Sequence, residues 1–387
     1  MRGLVSQDNA AYTSGSRSSD EGRRVVAVTG ASGFTGGALV ERLSREGWHV
    51  KALVRDSAKY AAPEGVEVIT GPLTSPETLA ELVADAEVVV HVAAMFRDEG
   101  SREEFFDINY NATQELMSAA DAAGVKRMIY CSTIGVHGHV AQTPSNEDAP
   151  FNPRDFYQES KLAAERLCAR RMEQPGMEVV IVRPASIYGP GDLRMLKMFR
   201  MLHKGIFIFV TKGRPNFHPV YIDDLVDGFL KAMTAPQAAG QTFIFAGPEY
   251  IPLRDYVALA AKTIDTRAPG WSVPYGLMYG AAVVCETLSR LIGIRPPLHR
   301  RRLSFFKHNR AFSTARAEKL LGYRPVVGVR EGFARTVDWY RKEGYLPKLK
   351  AKTRQSIKSV GRASALKTVA AGTSLDWAMS SGVISLV

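Results

Sequence analysis

Between Arg24 and Leu43 the hydrophobic period changes within a few residues, and no other stretch constrains the fold as strongly. Arg24-Val25-Val26-Ala27-Val28 is an almost wholly apolar run, as expected of a strand buried on both faces. Thr29-Gly30-Ala31-Ser32-Gly33-Phe34-Thr35-Gly36 follows, and Gly37-Ala38-Leu39-Val40-Glu41-Arg42-Leu43 continues as an amphipathic helix. In this strand–turn–helix context the glycines predict a phosphate site. They let the backbone turn tightly and approach a pyrophosphate closely, while the helix N-terminus offers unpaired N–H groups and a positive dipole end.

The glycine spacing is Gly-x-x-Gly-x-x-Gly. Thr29 to Gly36 matches Thr-Gly-x-x-Gly-Phe-x-Gly at every specified place, and here the sequence resembles the extended branch of the short-chain dehydrogenase/reductase superfamily. The resemblance implies an α/β fold: a Rossmann-type doubly wound parallel sheet with a smaller, mostly helical carboxyl-terminal substrate lobe. It also implies a nicotinamide dinucleotide held by Gly30, Ser32, Gly33, Phe34 and Gly36. His49-Val50-Lys51-Ala52-Leu53-Val54 is the predicted second strand, followed by Arg55. An arginine at this distance from the glycines pairs with the extra phosphate of NADP, whereas an acid binds the ribose hydroxyls of NAD. Arg55 therefore favours NADP, and Asp56 beside it keeps NAD as the alternative.

Val66–Ile69 and Glu87–Val90 are the predicted third and fourth strands. After the third, Gly71-Pro72-Leu73 stands where the family often has Gly-Asp-Leu, so an acidic contact to the adenine is missing. His91-Val92-Ala93-Ala94 resembles the family's His-x-Ala-Ala turn, which places Ala93 and Ala94 under the cofactor and leaves His91 as a satisfied core residue. Asp107-Ile108-Asn109-Tyr110-Asn111-Ala112-Thr113 resembles a helix start in which Ala112 replaces a glycine. Asn109 is expected to be structural.

The chemistry is concentrated in Phe156-Tyr157-Gln158-Glu159-Ser160-Lys161. Of 14 tyrosines, Tyr157 alone has a lysine four places on, about one helical turn away and on the same face. A neighbouring ammonium favours the phenolate of a tyrosine, which makes the pair a proton donor or acceptor for an alcohol or ketone. Met128–Cys131 is a predicted strand ending in Ser132-Thr133-Ile134-Gly135-Val136-His137-Gly138, similar to the family's Ser-Ser/Thr-x-x-Val-Tyr-Gly. The resemblance assigns the substrate hydrogen bond to Thr133, with Ser132 the rival. His137 replaces a tyrosine and is expected to alter the substrate pocket. The implied catalytic set is Thr133, Tyr157 and Lys161, with Lys161 also holding the nicotinamide ribose.

Val179 to Asp192 matches the family's Arg-Pro-x-x-Ile/Val-Tyr-Gly-Pro-Gly run, with the backbone after Pro184 passing the nicotinamide. Asp223 and Asp224 are expected to cap a helix rather than to bind metal. Cys131, Cys168 and Cys285 show neither ligand spacing nor a disulfide pattern, so no metal is expected and a cytoplasmic setting is.

The predicted organisation is a mobile tail over 1–22, a dinucleotide domain over 23–245 that lends 190–220 to the lobe, a lobe over 246–346, and a basic tail over 347–387. Ala311 to Pro325 and Gly332 to Tyr340 resemble the 3β-hydroxysteroid dehydrogenase and sterol-decarboxylase relatives. Between Tyr275 and Ile292 the residues Leu277, Ala281, Val284, Leu288 and Leu291 form one apolar stripe. It is expected to pack on the core, the alternative being a lid or membrane-surface helix. Arg300-Arg301-Arg302 and Lys307 suit an anionic headgroup or a substrate phosphate.

The net charge is +11. Seven cations of the tail, from Lys348 to Lys367, carry no acid between them and no interleaved aromatic, so a solvated tail is expected and nucleic acid is not. The sequence thus points to an oxidoreductase for the secondary alcohol or ketone of a hydrophobic small molecule. A peripheral membrane contact and a homodimer are further expectations. The first rival is a nucleotide-sugar epimerase or dehydratase with retained NAD, and the second a non-catalytic cofactor-binding scaffold.

Overall fold

The computed structural model describes residues 24–96, 100–292, 298, 303 and 307–348. The stretch 1–22, the arginine triplet at 300–302 and the tail beyond residue 348 lie outside the described residues. Seven strands make one sheet: β1 (Val25–Thr29), β2 (His49–Val54), β3 (Glu67–Thr70), β4 (Val88–His91), β5 (Arg127–Cys131), β6 (Glu178–Pro184) and β7 (Thr242–Phe245). They pair in parallel in the order β3-β2-β1-β4-β5-β6-β7. The order reverses between β1 and β4, the place where such sheets leave a crevice beyond the strand ends. The strands expected at 66–69 and 87–90 start one residue later, which brings His91 inside β4.

Alternation along β1 explains the two layers. Val26 and Val28 belong to the core cluster that holds Leu39, Val40 and Leu43 of α1 (Phe34–Arg45). Ala27 belongs to the cluster on the other face, with Leu116 and Met117 of α2 (Ala112–Ala122) and Ala164 and Cys168 of α3 (Phe156–Met172). Both faces are thereby dry, which is why these strands are continuously apolar.

The lobe is fastened by aromatic packing. Phe333 of the helix Val329–Lys342 sits 4.7 Å from Tyr256, 5.5 Å from Phe199 and 5.7 Å from Tyr188 between ring centroids. The hydroxyl of Tyr340, on the same helix, donates to the Asp192 carbonyl.

Two expectations about this half are corrected. Asp223 and Asp224 lie in the first turn of Ile222–Thr234, whose cap position is Tyr221, and neither caps it. The Asp224 carboxylate instead accepts from the amides of Val326 and Val327 at 3.0 Å each, docking a later segment. The helix Tyr275–Leu291 also sits opposite to expectation. Its stripe of Leu277, Val284, Leu288 and Leu291 faces outward, and it meets the protein through buried Ala282 and Ser289 with Tyr275 and Met278 partly buried beside them. Ala282 clusters with Val210 and Leu303, a footing too narrow to bury both faces.

Candidate active site

The ends of β1 and β4 meet the glycine turn at close quarters. Gly30 has φ +74°, and a Cβ there would stand 2.8 Å from the Ala93 amide nitrogen. A Cβ on Gly36 would stand 2.1 Å from the Gly30 carbonyl oxygen. These two glycines are required by the backbone itself, whereas Ser32 and Gly33 are exposed at the mouth of the turn. Gly33 precedes α1, and no acid occupies the first helical turn, so nothing opposes an anion at the amides of Phe34, Thr35 and Gly36. The residues present fit a dinucleotide pyrophosphate.

A directed chain of hydrogen bonds holds the facing loop. The Ala93 amide donates to Thr29 Oγ1 at 3.1 Å, and Thr29 Oγ1 lies 2.7 Å from His91 Nδ1. On the far side His91 Nε2 lies 2.9 Å from Thr113 Oγ1, which donates to the Asn109 carbonyl at 2.8 Å. Thr113 spends its proton on that carbonyl, so it must accept from His91, and the histidine carries its proton on Nε2. Burial, with Lys161 adding to it, pushes the pKa of His91 down to about 3. His91 is the satisfied core residue expected, and it ties the Ala93 loop to α2.

Asn109 continues the scaffold. Its side chain pairs with both the amide and carbonyl of Met95, at 2.7 and 3.2 Å, and donates to Ser160 Oγ at 3.0 Å. Ser160 in turn donates to the Tyr157 carbonyl at 2.9 Å. The loop after β4 and the start of α3 are thus joined through one amide group.

Tyr157 and Lys161 occupy successive turns of α3, which starts at Phe156 under an Asp155 cap to the Gln158 amide at 2.9 Å. Tyr157 is half-buried, with the Phe96 ring edge-on at 4.8 Å. Lys161 is only 1% exposed, with Nζ 4.2 Å from the centre of the Tyr130 ring. Burial pulls its pKa down to about 8 from 10.5. Thr133 lies at the end of β5, partly exposed, and its Oγ1 accepts from the Gly135 amide at 3.0 Å. Thr133 and Gln158 both border the space beside Gly135, within 3.2 and 3.3 Å of where a Cβ would stand. The structure therefore packs the first turn of α3, which carries Tyr157, beside the end of β5, which carries Thr133. Ser132 is not a rival, because its hydroxyl is buried and donates to Glu165 at 2.5 Å.

Glu165 was not singled out from the sequence, though it lies four residues after Lys161 and hence on the same helical face. It is buried and bridges to Arg183 at 2.5 Å. Arg183 also donates to the Glu147 carbonyl at 2.7 Å and to His137 Nε2 at 3.0 Å. His137 therefore belongs to a fully buried network; burial and Arg183 lower its pKa. Pro184, next along β6, is buried beside this network.

Two residues had no local signal. Phe96 follows a loop whose path only the fold decides. Arg194 lies 5.7 Å from the Phe34 ring centre and pairs with buried Asp192 at 2.8 Å, which closes the post-β6 segment over the glycine turn. Arg55 stands exposed at the end of β2 with no ion pair among the described residues. Asp56 is occupied by the Ala58 amide at 3.1 Å and by Lys59 at 2.8 Å.

A parallel sheet with its reversal at a glycine turn, and a tyrosine–lysine helix beside it, define a nicotinamide-dinucleotide enzyme of the short-chain dehydrogenase/reductase type. Residues 26–246 match the NAD dependent epimerase/dehydratase family, and the chain belongs to it. It is an NAD-dependent enzyme of the dehydrogenase/reductase kind. The ceramide reductase of Caulobacter vibrioides (strain NA1000 / CB15N) is 31% identical over 350 residues, which covers 85% of this chain and 98% of that protein. The 3beta-hydroxysteroid-dehydrogenase/decarboxylase isoform 1 of Arabidopsis thaliana is 28% identical over 353 residues, covering 82% and 80%. The crystal structure of gox2253 superposes with a TM-score of 0.71 at 29% identity, covering 84% of this chain and 99% of that one. No helix among the described residues is long and apolar enough to cross a membrane.

Two substitutions separate structure from chemistry. Lys161→Met is expected to abolish turnover yet stabilise the fold at pH 7 by up to about 3 kcal/mol, because a buried charge is removed. The lysine has a lowered folded pKa, so its cost is full below about 8 and fades toward 10.5. Melting curves across that range should show the advantage of the variant shrinking as pH rises. Glu165→Gln leaves Arg183 buried without its counter-charge and is expected to cost about 3 kcal/mol or more in denaturant unfolding.

Proposed function

We propose that the protein interconverts a secondary alcohol and a ketone on a hydrophobic, steroid- or terpenoid-like substrate, with NADP preferred over NAD. The observation that carries this reading is the placement of Tyr157 and Lys161 on successive turns of α3, with Gln158 of that helix packed beside Thr133. When bound, the dinucleotide supplies or accepts the hydride. The Tyr157 hydroxyl moves the proton of the substrate oxygen. Lys161 sits one turn along the helix, and its charge favours the phenolate. Thr133 has a lone pair committed to the Gly135 amide, which leaves its own proton to donate to the substrate oxygen and orient it.

Support for NADP comes from Arg55, which has no ion pair among the described residues, while Asp56 is held by Lys59 and its own turn. An acid that already caps a turn is poorly placed to bind ribose hydroxyls. The hydrophobic substrate class is supported by the relatives above, whose names refer to sterol and ceramide chemistry. Support also comes from the apolar character of the lobe, where Ile206 and Ile208 are exposed beside buried Phe207 and Phe209.

Titration of the purified protein with NADPH and NADH is expected to show a dissociable cofactor with NADPH the tighter. Copurification of tightly retained NAD would instead indicate the epimerase or dehydratase chemistry. Tyr157→Phe is expected to abolish turnover of a hydrophobic alcohol while cofactor affinity stays within a few-fold; activity retained by this variant removes Tyr157 from the mechanism. Arg55→Asp should swing the ratio of kcat/KM toward NADH, and an unchanged ratio means that the ribose is read elsewhere.

A further inference from the structure

The helix Tyr275–Leu291, α5 in a count in which Ile222–Thr234 is α4, carries its apolar side away from the protein. Leu277 is 69% exposed, Leu288 55% and Leu291 78%, with Ala281 and Val284 exposed between them. Fourteen helical steps from Leu277 to Leu291 make a stripe about 21 Å long. A surface helix of a globular protein points such a stripe inward; this one points in small Ala282 and Ser289 instead.

The stripe does not stand alone. The two-residue strand Ser272–Val273, which runs into α5 through Pro274, pairs in parallel with Phe209–Val210. The Phe209 amide donates to the Trp271 carbonyl at 3.0 Å. Trp271 is 82% exposed, the most open of the large apolar side chains along this edge, and Ile206 and Ile208 are exposed in the segment that leads into the adjoining strand. Leucines, isoleucines and one open tryptophan therefore share one edge of the lobe.

Charge indicates what covers it. Exposed Lys307 lies with its ammonium 5.3 Å from the Tyr275 ring centre, and the sequence from Tyr275 to Lys307 carries six cations against the single acid Glu286. At a net charge of +11 a second copy meets like charge, whereas anionic headgroups attract the chain and their acyl boundary takes the leucines. Tryptophan is the residue that favours such a boundary. We propose that this edge docks on an anionic lipid surface, with α5 lying in the interfacial plane. The proposal does not depend on which reaction Tyr157 performs.

Co-sedimentation of the full chain tests it, with vesicles of phosphatidylcholine alone and of phosphatidylcholine mixed with phosphatidylglycerol. The wild type is expected to bind the mixed vesicles, more weakly as salt rises. A Leu277→Glu, Leu288→Glu double variant is expected to bind them at least about tenfold more weakly, with NADPH affinity and melting temperature retained. Emission from Trp271, taken as the difference between wild type and Trp271→Phe, should shift to the blue on binding. Equal binding by the double variant would assign the interaction to the basic tail and overturn the proposal. So would an absence of vesicle binding, or a wild-type dimer that the double substitution splits into monomers, which would make a second copy the occupant.

Discussion

The carboxylate of Glu165 is the point through which the candidate active site is held. It accepts from Ser132 at the end of β5 and from Arg183 at the end of β6, and it rides on α3 one turn beyond Lys161. The residues next to its partners are Thr133 and Pro184. A buried ion pair contributes little net stability, since desolvation offsets the attraction. Its value here is geometric: three separate elements share one charge, so none of them shifts without leaving another charge unpaired.

The same economy governs the side facing β4. His91 and Asn109 are fully satisfied inside the protein, yet each fixes a piece of backbone at the cofactor turn, Ala93 in one case and Met95 in the other. The direction of every hydrogen bond through His91 follows from the single carbonyl that Thr113 faces. Burial brings the pKa of Lys161 down to about 8, against the opposing pull of Cys131, Cys168 and Glu165. The fold thus tolerates one costly charge a helical turn from Tyr157.

The lobe follows a different logic. Its aromatic anchors, Tyr188, Phe199, Tyr256, Phe333 and Tyr340, close it firmly against the sheet. Beyond that anchor, α5 stands on Ala282 and Ser289 and leaves its leucines outside. Hydrophobic periodicity located this helix and its stripe accurately. It misjudged the direction, because periodicity reports that a face is apolar and says nothing about which neighbour covers it.

The sequence by itself determined the order of strands and helices, the glycine turn, and the helical turn that stacks Tyr157 over Lys161. All of these depend on local period and on steric rules that act within a few residues. Arg55 beside Asp56 was legible as a pair, but not that Lys59 occupies the acid. The burial of Lys161, the partners of Glu165, the loop that brings Phe96 to Tyr157 and the outward face of α5 were decided only by tertiary structure. Each joins residues that are distant along the chain, and their meeting depends on how the sheet and helices are layered, which no local pattern encodes.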